Sequence, residues 1–239
     1  MPADSATAMN QEEEAALREW LASDADSRNT PLSAGYQGSV YLFEGPAGPR
    51  IIKEAIDTWP QRLLARRMLR REAGAYDRVN GIPGIPGSFG MLDDRYLVLE
   101  FVPGKNLRDP DNGITDREAF FAGLLNIIKE VHARDVTHND LKRKDNVLVT
   151  ASGEPVLLDF GMAVCHRRQG FFYRLLKRMD YNAWIKIKYH YATDQITEAD
   201  QPYYSPTLLE RGFRQLRRFW RIITFRQWRK ARQRAKSSR

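Results

Sequence analysis

The stretch that most constrains this chain runs from Thr137 to Gly161 and reads THNDLKRKDNVLVTASGEPVLLDFG. Two short apolar runs, Val147-Leu148-Val149 and Val156-Leu157-Leu158, flank the turn pair Ser152-Gly153. That pattern predicts a hairpin of two short strands. A polar cluster of His138, Asp140 and Asn146 precedes the first strand, and Asp159 closes the second. Acidic and amide side chains are thereby gathered at one end of a small sheet. Magnesium-bound phosphate chemistry needs such a set: one group to orient a hydroxyl, and hard oxygen ligands for the metal.

The chain before this stretch alternates strands with a helix. Glu12 to Leu21 has Leu17, Trp20 and Leu21 spaced for one apolar helical face. The run Ser33-Ala34-Gly35-Tyr36-Gln37-Gly38-Ser39-Val40 holds two glycines that would let backbone approach a phosphate, although Gly-x-x-Gly is also an ordinary hairpin turn. Strand patterns follow at Val40 to Phe43 and Ile51 to Lys53, with a turn at Gly45 to Gly48 between them. Arg62 to Val79 is a proline-free segment of good helix formers that contains Glu72, nineteen residues after Lys53. Gly81 to Gly87 is turn-rich, and Tyr96 to Gly104 reads as a strand running into an extended segment. Asp116 to Arg134 predicts a helix capped at Thr115 or Asp116, with Phe120, Leu124, Ile127, Ile128 and Val131 on its buried stripe. His132 beside that stripe reads as structural.

Taken in order, these segments resemble the protein-kinase-like superfamily. His138-Asn139-Asp140-Leu141, then Asn146, then Asp159-Phe160-Gly161 is similar to its catalytic loop and metal motif. The resemblance implies an α+β, bilobal protein-kinase-like fold. It implies ATP and Mg²⁺ as cofactors, with Asn146 and Asp159 as metal ligands and Asp140 at the acceptor hydroxyl. Lys142 is similar to a residue that neutralises the γ-phosphate, a place Lys144 could also take. Gly35, Gly38 and Val40 would cover the nucleotide, Lys53 would hold its α- and β-phosphates with Glu72 orienting it, and the backbone from Glu100 to Val102 would receive adenine. His138 is expected to be a scaffold for the loop rather than a base.

One departure stands out. The family places its asparagine five residues after the aspartate, a position held here by Asp145, while Asn146 follows at six. Either the loop carries one extra residue, as a bulge among Lys142 to Asp145, or Asp145 supplies the oxygen. Strand alternation favours Asn146, which would share the side of Leu148. Asn139 in place of the usual arginine resembles small bacterial, RIO-like and lipopolysaccharide-core (Kdo/heptose) kinases. After Gly161 there is no Ala-Pro-Glu signature, so a reduced C-terminal lobe is expected, with a central helix from Asp180 to His190. Asp180 could brace the loop or simply initiate that helix.

Composition narrows the rest. The chain has 239 residues, 42% of them apolar and 11% aromatic, as in folded globular proteins. With Cys165 the only cysteine, no intrachain disulfide can form. The polar, acidic start has no signal-peptide character, and no stretch reaches the roughly 18 apolar residues of a membrane span. A cytoplasmic location is expected. The net charge of +8 is uneven: twelve Lys or Arg and no acid lie from Arg211 onward, leaving 26 basic against 30 acidic residues, a net of −4, in 1–210. The expected organisation is a flexible segment with a short helix over 1–30, an N-terminal lobe over 31–103, a catalytic lobe over 104–210 and a basic amphipathic tail over 211–239. Apolar residues at 209, 213, 216, 220 and 223 give the tail a helical stripe that either packs on the domain or meets an anionic membrane at the inner face of the inner membrane.

These features point to an ATP-dependent phosphotransferase acting on a hydroxyl. Lys142 and the ordinary Asp-Phe-Gly favour protein serine/threonine as acceptor, while Asn139, the small lobe and the tail favour a lipopolysaccharide-core sugar. A non-catalytic kinase-like scaffold is the competing class, kept open by the loop insertion. The acidic body, with no DNA or RNA motif, argues against nucleic acid as a partner.

Overall fold

The structure, a computed structural model, describes residues 9–23, 31–35, 38–192 and 194–205. Its first half is built on an antiparallel five-stranded sheet of β1 (Ser33–Gly35), β2 (Gly38–Gly45), β3 (Gly48–Ala55), β4 (Ser88–Leu92) and β5 (Tyr96–Glu100), in the order β1-β2-β3-β5-β4. Side chains alternate across a strand, so each strand feeds two faces. In β5, Leu97 and Leu99 enter the main core, whereas Tyr96 and Val98 join a separate cluster with Leu17, Phe43 and Ile52.

A helix covers each face. α2 (Gln61–Val79) buries Ala65, Leu69, Ala73, Tyr76 and Val79, spaced at three and four residues, against the main core. α1 (Gln11–Ala22) covers the other face. Its Leu17 is wholly buried, and Trp20 sits 5.8 Å from Tyr41 and 5.5 Å from Phe43 between ring centroids. Asn10 caps α1 by accepting the Glu13 amide at 2.7 Å, and the buried Glu13 carboxylate meets Arg50 Nε of β3 at 2.8 Å.

The second half is mainly helical. α3 (Arg117–Ala133) starts at Asp116, whose carboxylate accepts the Ala119 amide at 2.9 Å, and it buries the five residues of its expected stripe. α4 (Phe171–Lys188) lies beside it, with Trp184 Nε1 donating to the Phe121 carbonyl at 2.9 Å. The helix expected from Asp180 therefore begins at Phe171. Its first turn is anchored by buried Tyr173, which donates to the His132 carbonyl at 2.7 Å. β6 (Lys105–Asn106), β8 (Val147–Val149) and β9 (Pro155–Leu157) form a three-stranded sheet, and β7 (Val136–Thr137) pairs with β10 (Val164–Cys165). The expected hairpin is β8–β9, with Val147 opposite Leu157 and Gly153 turning at φ +80°. The main core runs without a break from α2 through α3 to α4. Among the described residues no helix is long and apolar enough to cross a membrane.

Because α1 is held by one wholly buried leucine, Leu17→Ala is expected to lower stability by about 2–5 kcal/mol in urea unfolding. A loss below about 0.5 kcal/mol, the range of ordinary surface changes, would show that α1 contributes little to the fold.

Candidate active site

The site begins at Lys53. It shares the side of β3 that carries Ile51 and Ala55 toward α2, so its ammonium is delivered beneath that helix. Glu72 lies on the buried side of α2 and pairs with Lys53 Nζ, which also reaches Asp159 Oδ1 at 3.1 Å. Burial alone would lower the Lys53 ammonium, but Glu72, Tyr76 and Asp159 together hold it above the usual lysine range. Asp159 responds in the opposite sense: burial opposes its charge, yet Lys53 and the Gly161 amide pull its carboxyl below the usual range. Buried charges persist when paired in this way.

Asp159 holds a left-handed backbone at φ +63°, and its amide donates to the Tyr76 hydroxyl at 3.2 Å. Tyr76 sits one turn beyond Glu72 on α2; burial raises its phenol, which stays neutral. Phe160 is buried between Tyr76 and His138, with ring centroids 4.9 Å from each. The metal-motif segment is thus clamped against α2 on one side and the Thr137–Asn146 loop on the other.

That loop is held from within and from below. His138 Nε2 donates to the Leu158 carbonyl at 2.9 Å while its Nδ1 accepts the Asp140 amide at 3.3 Å, so both ring nitrogens serve the loop. Below it, Asp180 of α4 is 1% exposed. Its Oδ2 accepts from the His138 amide at 2.8 Å and from His132 Nε2 at 3.0 Å, and its Oδ1 accepts from the Asn139 amide at 2.8 Å. It lies in the middle of α4, so it braces the loop and does not initiate the helix. Asn139 adopts φ +67°, a conformation asparagine tolerates, and its Nδ2 donates to the Met162 carbonyl at 3.1 Å.

Two successive turns follow Asp140. The Arg143 amide reaches the Asp140 carbonyl at 3.2 Å, and the Asn146 amide reaches the Arg143 carbonyl at 3.0 Å, closing a 3₁₀ turn over Lys144–Asn146. Asn146 therefore lies in a turn outside the strand, so its direction does not follow from strand alternation. Its Nδ2 donates to the Asp140 carbonyl at 3.1 Å and to Asp140 Oδ2 at 3.3 Å. Asp145 points elsewhere, to Arg108 at 3.2 Å. The Leu158 amide donates to the Asn146 carbonyl at 2.8 Å, which ties this cluster to the segment that carries Asp159.

Asp140, Asn146 and Asp159 offer carboxylate and amide oxygens suited to a hard divalent cation. With Asn146 Nδ2 turned to Asp140, Oδ1 is the atom left for a cation. Lys53 and Gly161 both engage Asp159 Oδ1, which leaves Oδ2. Among the described residues no group of three or more His, Cys, Asp or Glu forms a metal cluster, so phosphate and water would have to complete the shell.

The remaining expected residues are more dispersed. Val40 lies opposite Lys53 on β2, and Gly35 pairs with Gly38 at the end of the sheet. Gly38 has φ +151°, and a Cβ there would stand 1.8 Å from the Glu54 carbonyl oxygen, so close strand packing alone requires glycine. Glu100 pairs with Arg50, three residues along β3 from Lys53, or about 10 Å at the usual rise. Its amide donates to the Gly87 carbonyl and its carboxylate accepts the Gly87 amide, both at 2.8 Å. Val102 is half-buried just past β5, and Lys142 is exposed beside Asp140. A separate groove of about 590 Å³ between α3 and the β8–β9 hairpin, lined by Gly84, Phe120, Ile127 and Pro155 among others, contains none of these residues. The tail stripe lies outside the described residues.

No family model matches the chain. It is 30% identical over 161 residues to serine/threonine-protein kinase Aurora-2 of Arabidopsis thaliana, covering 63% of this chain and 56% of the relative. Similarity to serine/threonine-protein kinase C of Synechocystis is 30% over 106 residues, 41% of this chain and 20% of the relative. Similarity to serine/threonine-protein kinase chk-1 of Caenorhabditis elegans is 32% over 155 residues, 58% of this chain and 30% of the relative. The chain thus spans between a fifth and little more than half of the length of these relatives. Its homologues are serine/threonine protein kinases, and its α+β architecture is consistent with a protein-kinase-like fold.

Proposed function

We propose that the chain is an ATP-dependent phosphotransferase that moves the γ-phosphate to a hydroxyl, with protein serine or threonine as acceptor. The observation that carries this reading is Lys53, whose ammonium joins Glu72 of α2 to Asp159 of the metal motif. Three separate parts of the chain converge there on one cation. Similarity to serine/threonine protein kinases along up to 63% of the chain supports it. On this reading residues 31–103 cradle the nucleotide and 104–210 hold the acceptor.

Phosphoryl transfer asks little covalent help from a protein, so positioning and charge neutralisation carry the work. Lys53, fixed by Glu72, binds the α- and β-phosphates. Asp140 orients the acceptor hydroxyl and takes up its proton as the oxygen–phosphorus bond forms and the bond to the β-phosphate oxygen breaks. Asn146 Oδ1 and Asp159 Oδ2 would hold a divalent cation, which would supply charge neutralisation for phosphate oxygens. Exposed Lys142 is free to swing to the γ-phosphate, and Lys144 is the alternative. Gly35, Gly38 and Val40 lie over the nucleotide, and the backbone of Glu100 to Val102 meets adenine.

The acceptor is the part of this reading with a rival. A lipopolysaccharide-core sugar, phosphorylated at the inner face of the inner membrane with the basic tail on anionic lipid, would use the same centre. Asn139 and the charge of residues 211–239 favour it. Transfer of radiolabel from ATP into cell fractions separates the two: label in protein supports the first reading, label in lipopolysaccharide the second. Label in neither, with a folded chain and saturating magnesium, favours a non-catalytic scaffold.

Two sets of variants test the roles. Asp140→Asn is expected to abolish turnover while leaving ATP affinity nearly intact, whereas Asp159→Asn weakens magnesium-dependent nucleotide binding as well. Retained activity in both would overturn the assignment. Asn146→Ala is expected to be nearly inactive and Asp145→Ala to keep most of its turnover. The reverse ranking would move the metal ligand to Asp145.

A further inference from the structure

Eight large apolar side chains are exposed among the described residues, and six of them fall in two short segments. Trp59, Leu63 and Leu64 are 75%, 67% and 64% exposed at the start of α2. Met162, Phe171 and Phe172 are 56%, 75% and 60% exposed from just after the metal motif to the first turn of α4. At 100° per residue, Leu63 lies opposite the buried face of α2, where an amphipathic helix ordinarily carries polar residues. Its neighbours on that outer stripe are Arg67 and Arg71, exposed and without an ion pair among the described residues, and Arg70, which is paired with Asp94. Arg167, Arg168 and Arg174 flank the two phenylalanines in the same state, and no acid occurs from Met162 to Met179. Asp77 is the one exposed acid on α2.

The second segment adjoins the C-terminal end of α2, about 21 Å along the helix from Leu64. Arg78, at the lower end of the outer stripe, donates to the His166 carbonyl at 3.0 Å, and Cys165 Sγ approaches the Gly74 carbonyl at 3.9 Å. The stripe of α2 therefore continues into residues 167–172.

We propose that this face, from Trp59 and Leu63 down to Phe171 and Phe172, docks on an anionic phospholipid bilayer. Exposed apolar side chains interleaved with unpaired arginines match an interface that is apolar below and negative above. Tryptophan and phenylalanine suit the headgroup boundary, where arginine can extend to phosphate. The groove between α3 and the β8–β9 hairpin is not part of this face. Asn139, next to Asp140, holds the Met162 carbonyl at 3.1 Å, so the face borders the candidate site. On the phosphotransferase reading the acceptor hydroxyl would then arrive from the bilayer, but the docking itself does not depend on that reading.

The test is co-sedimentation of the full 239-residue chain with phosphatidylcholine vesicles, with and without phosphatidylglycerol. Binding is expected only with phosphatidylglycerol and should fall with added salt. Two variants with exposed substitutions, Leu63→Gln/Leu64→Gln/Phe171→Ser/Phe172→Ser and Arg67→Glu/Arg71→Glu/Arg167→Glu, should each lower the partition coefficient about tenfold or more. Their circular dichroism and melting should match the parent chain. Failure of the parent chain to bind overturns the proposal. So does unchanged binding in both variants, including the case where deletion of 206–239 alone removes it.

Discussion

The arrangement depends on one cation between two carboxylates. A lysine beneath a helix in an apolar core would be driven toward its neutral form, and a glutamate there would be driven the same way. Lys53 and Glu72 offset each other, and Asp159 adds a second anion at the solvent side. Each contact crosses a structural boundary, from β3 to α2 and from β3 to the segment after β9. The position of α2 against the sheet and the position of the metal motif are therefore coupled through a single ammonium. Removing one partner would leave a buried charge uncompensated, which costs several kcal/mol in typical proteins, about 3–5.

A second buried carboxylate does the same for the Thr137–Asn146 loop. Asp180 takes hydrogen bonds from two successive loop amides and from His132 of α3, so it joins α4 to both. The backbone at Asn139 turns left-handed between these contacts and presents Asp140 toward Asn146. Charge-assisted bonds to backbone amides fix geometry more tightly than side-chain contacts to other side chains, because the acceptors reach the chain itself. The loop's shape is set by α4, although the two are distant in sequence.

Sequence periodicity was enough for the β8–β9 hairpin and for the buried stripe of α3, because these follow from local spacing, and Asp116 was one of two cap candidates. The order of Lys53 and Glu72 also announced their pairing, through resemblance to a family. What local spacing could not supply was anything set by distant partners. Asp180 looks like a helix starter until Tyr173 is seen to anchor an earlier turn. Alternation along β8 does not extend to Asn146, because a 3₁₀ turn intervenes, yet Asn146 still faces Asp140. Tyr76 carried no signal for its bond to Asp159, since its spacing fits a core residue equally well. Gly38 answers first to strand packing against Glu54, a demand invisible without the register of β2 and β3. The packing of α1 on the sheet depends on Leu17 joining a cluster with residues from four strands, which no window of sequence contains.

The central proposal is that this site binds a nucleotide through Lys53 and a cation at Asp159. Calorimetric titration of ATP into the folded chain, with magnesium and with chelator, tests it most directly. The account predicts saturable binding in about the 1 μM–1 mM range common to enzyme substrates, weakened by chelation and by Lys53→Ala. Absence of ATP binding by the folded chain at saturating magnesium, or binding indifferent to both magnesium and Lys53, would contradict it.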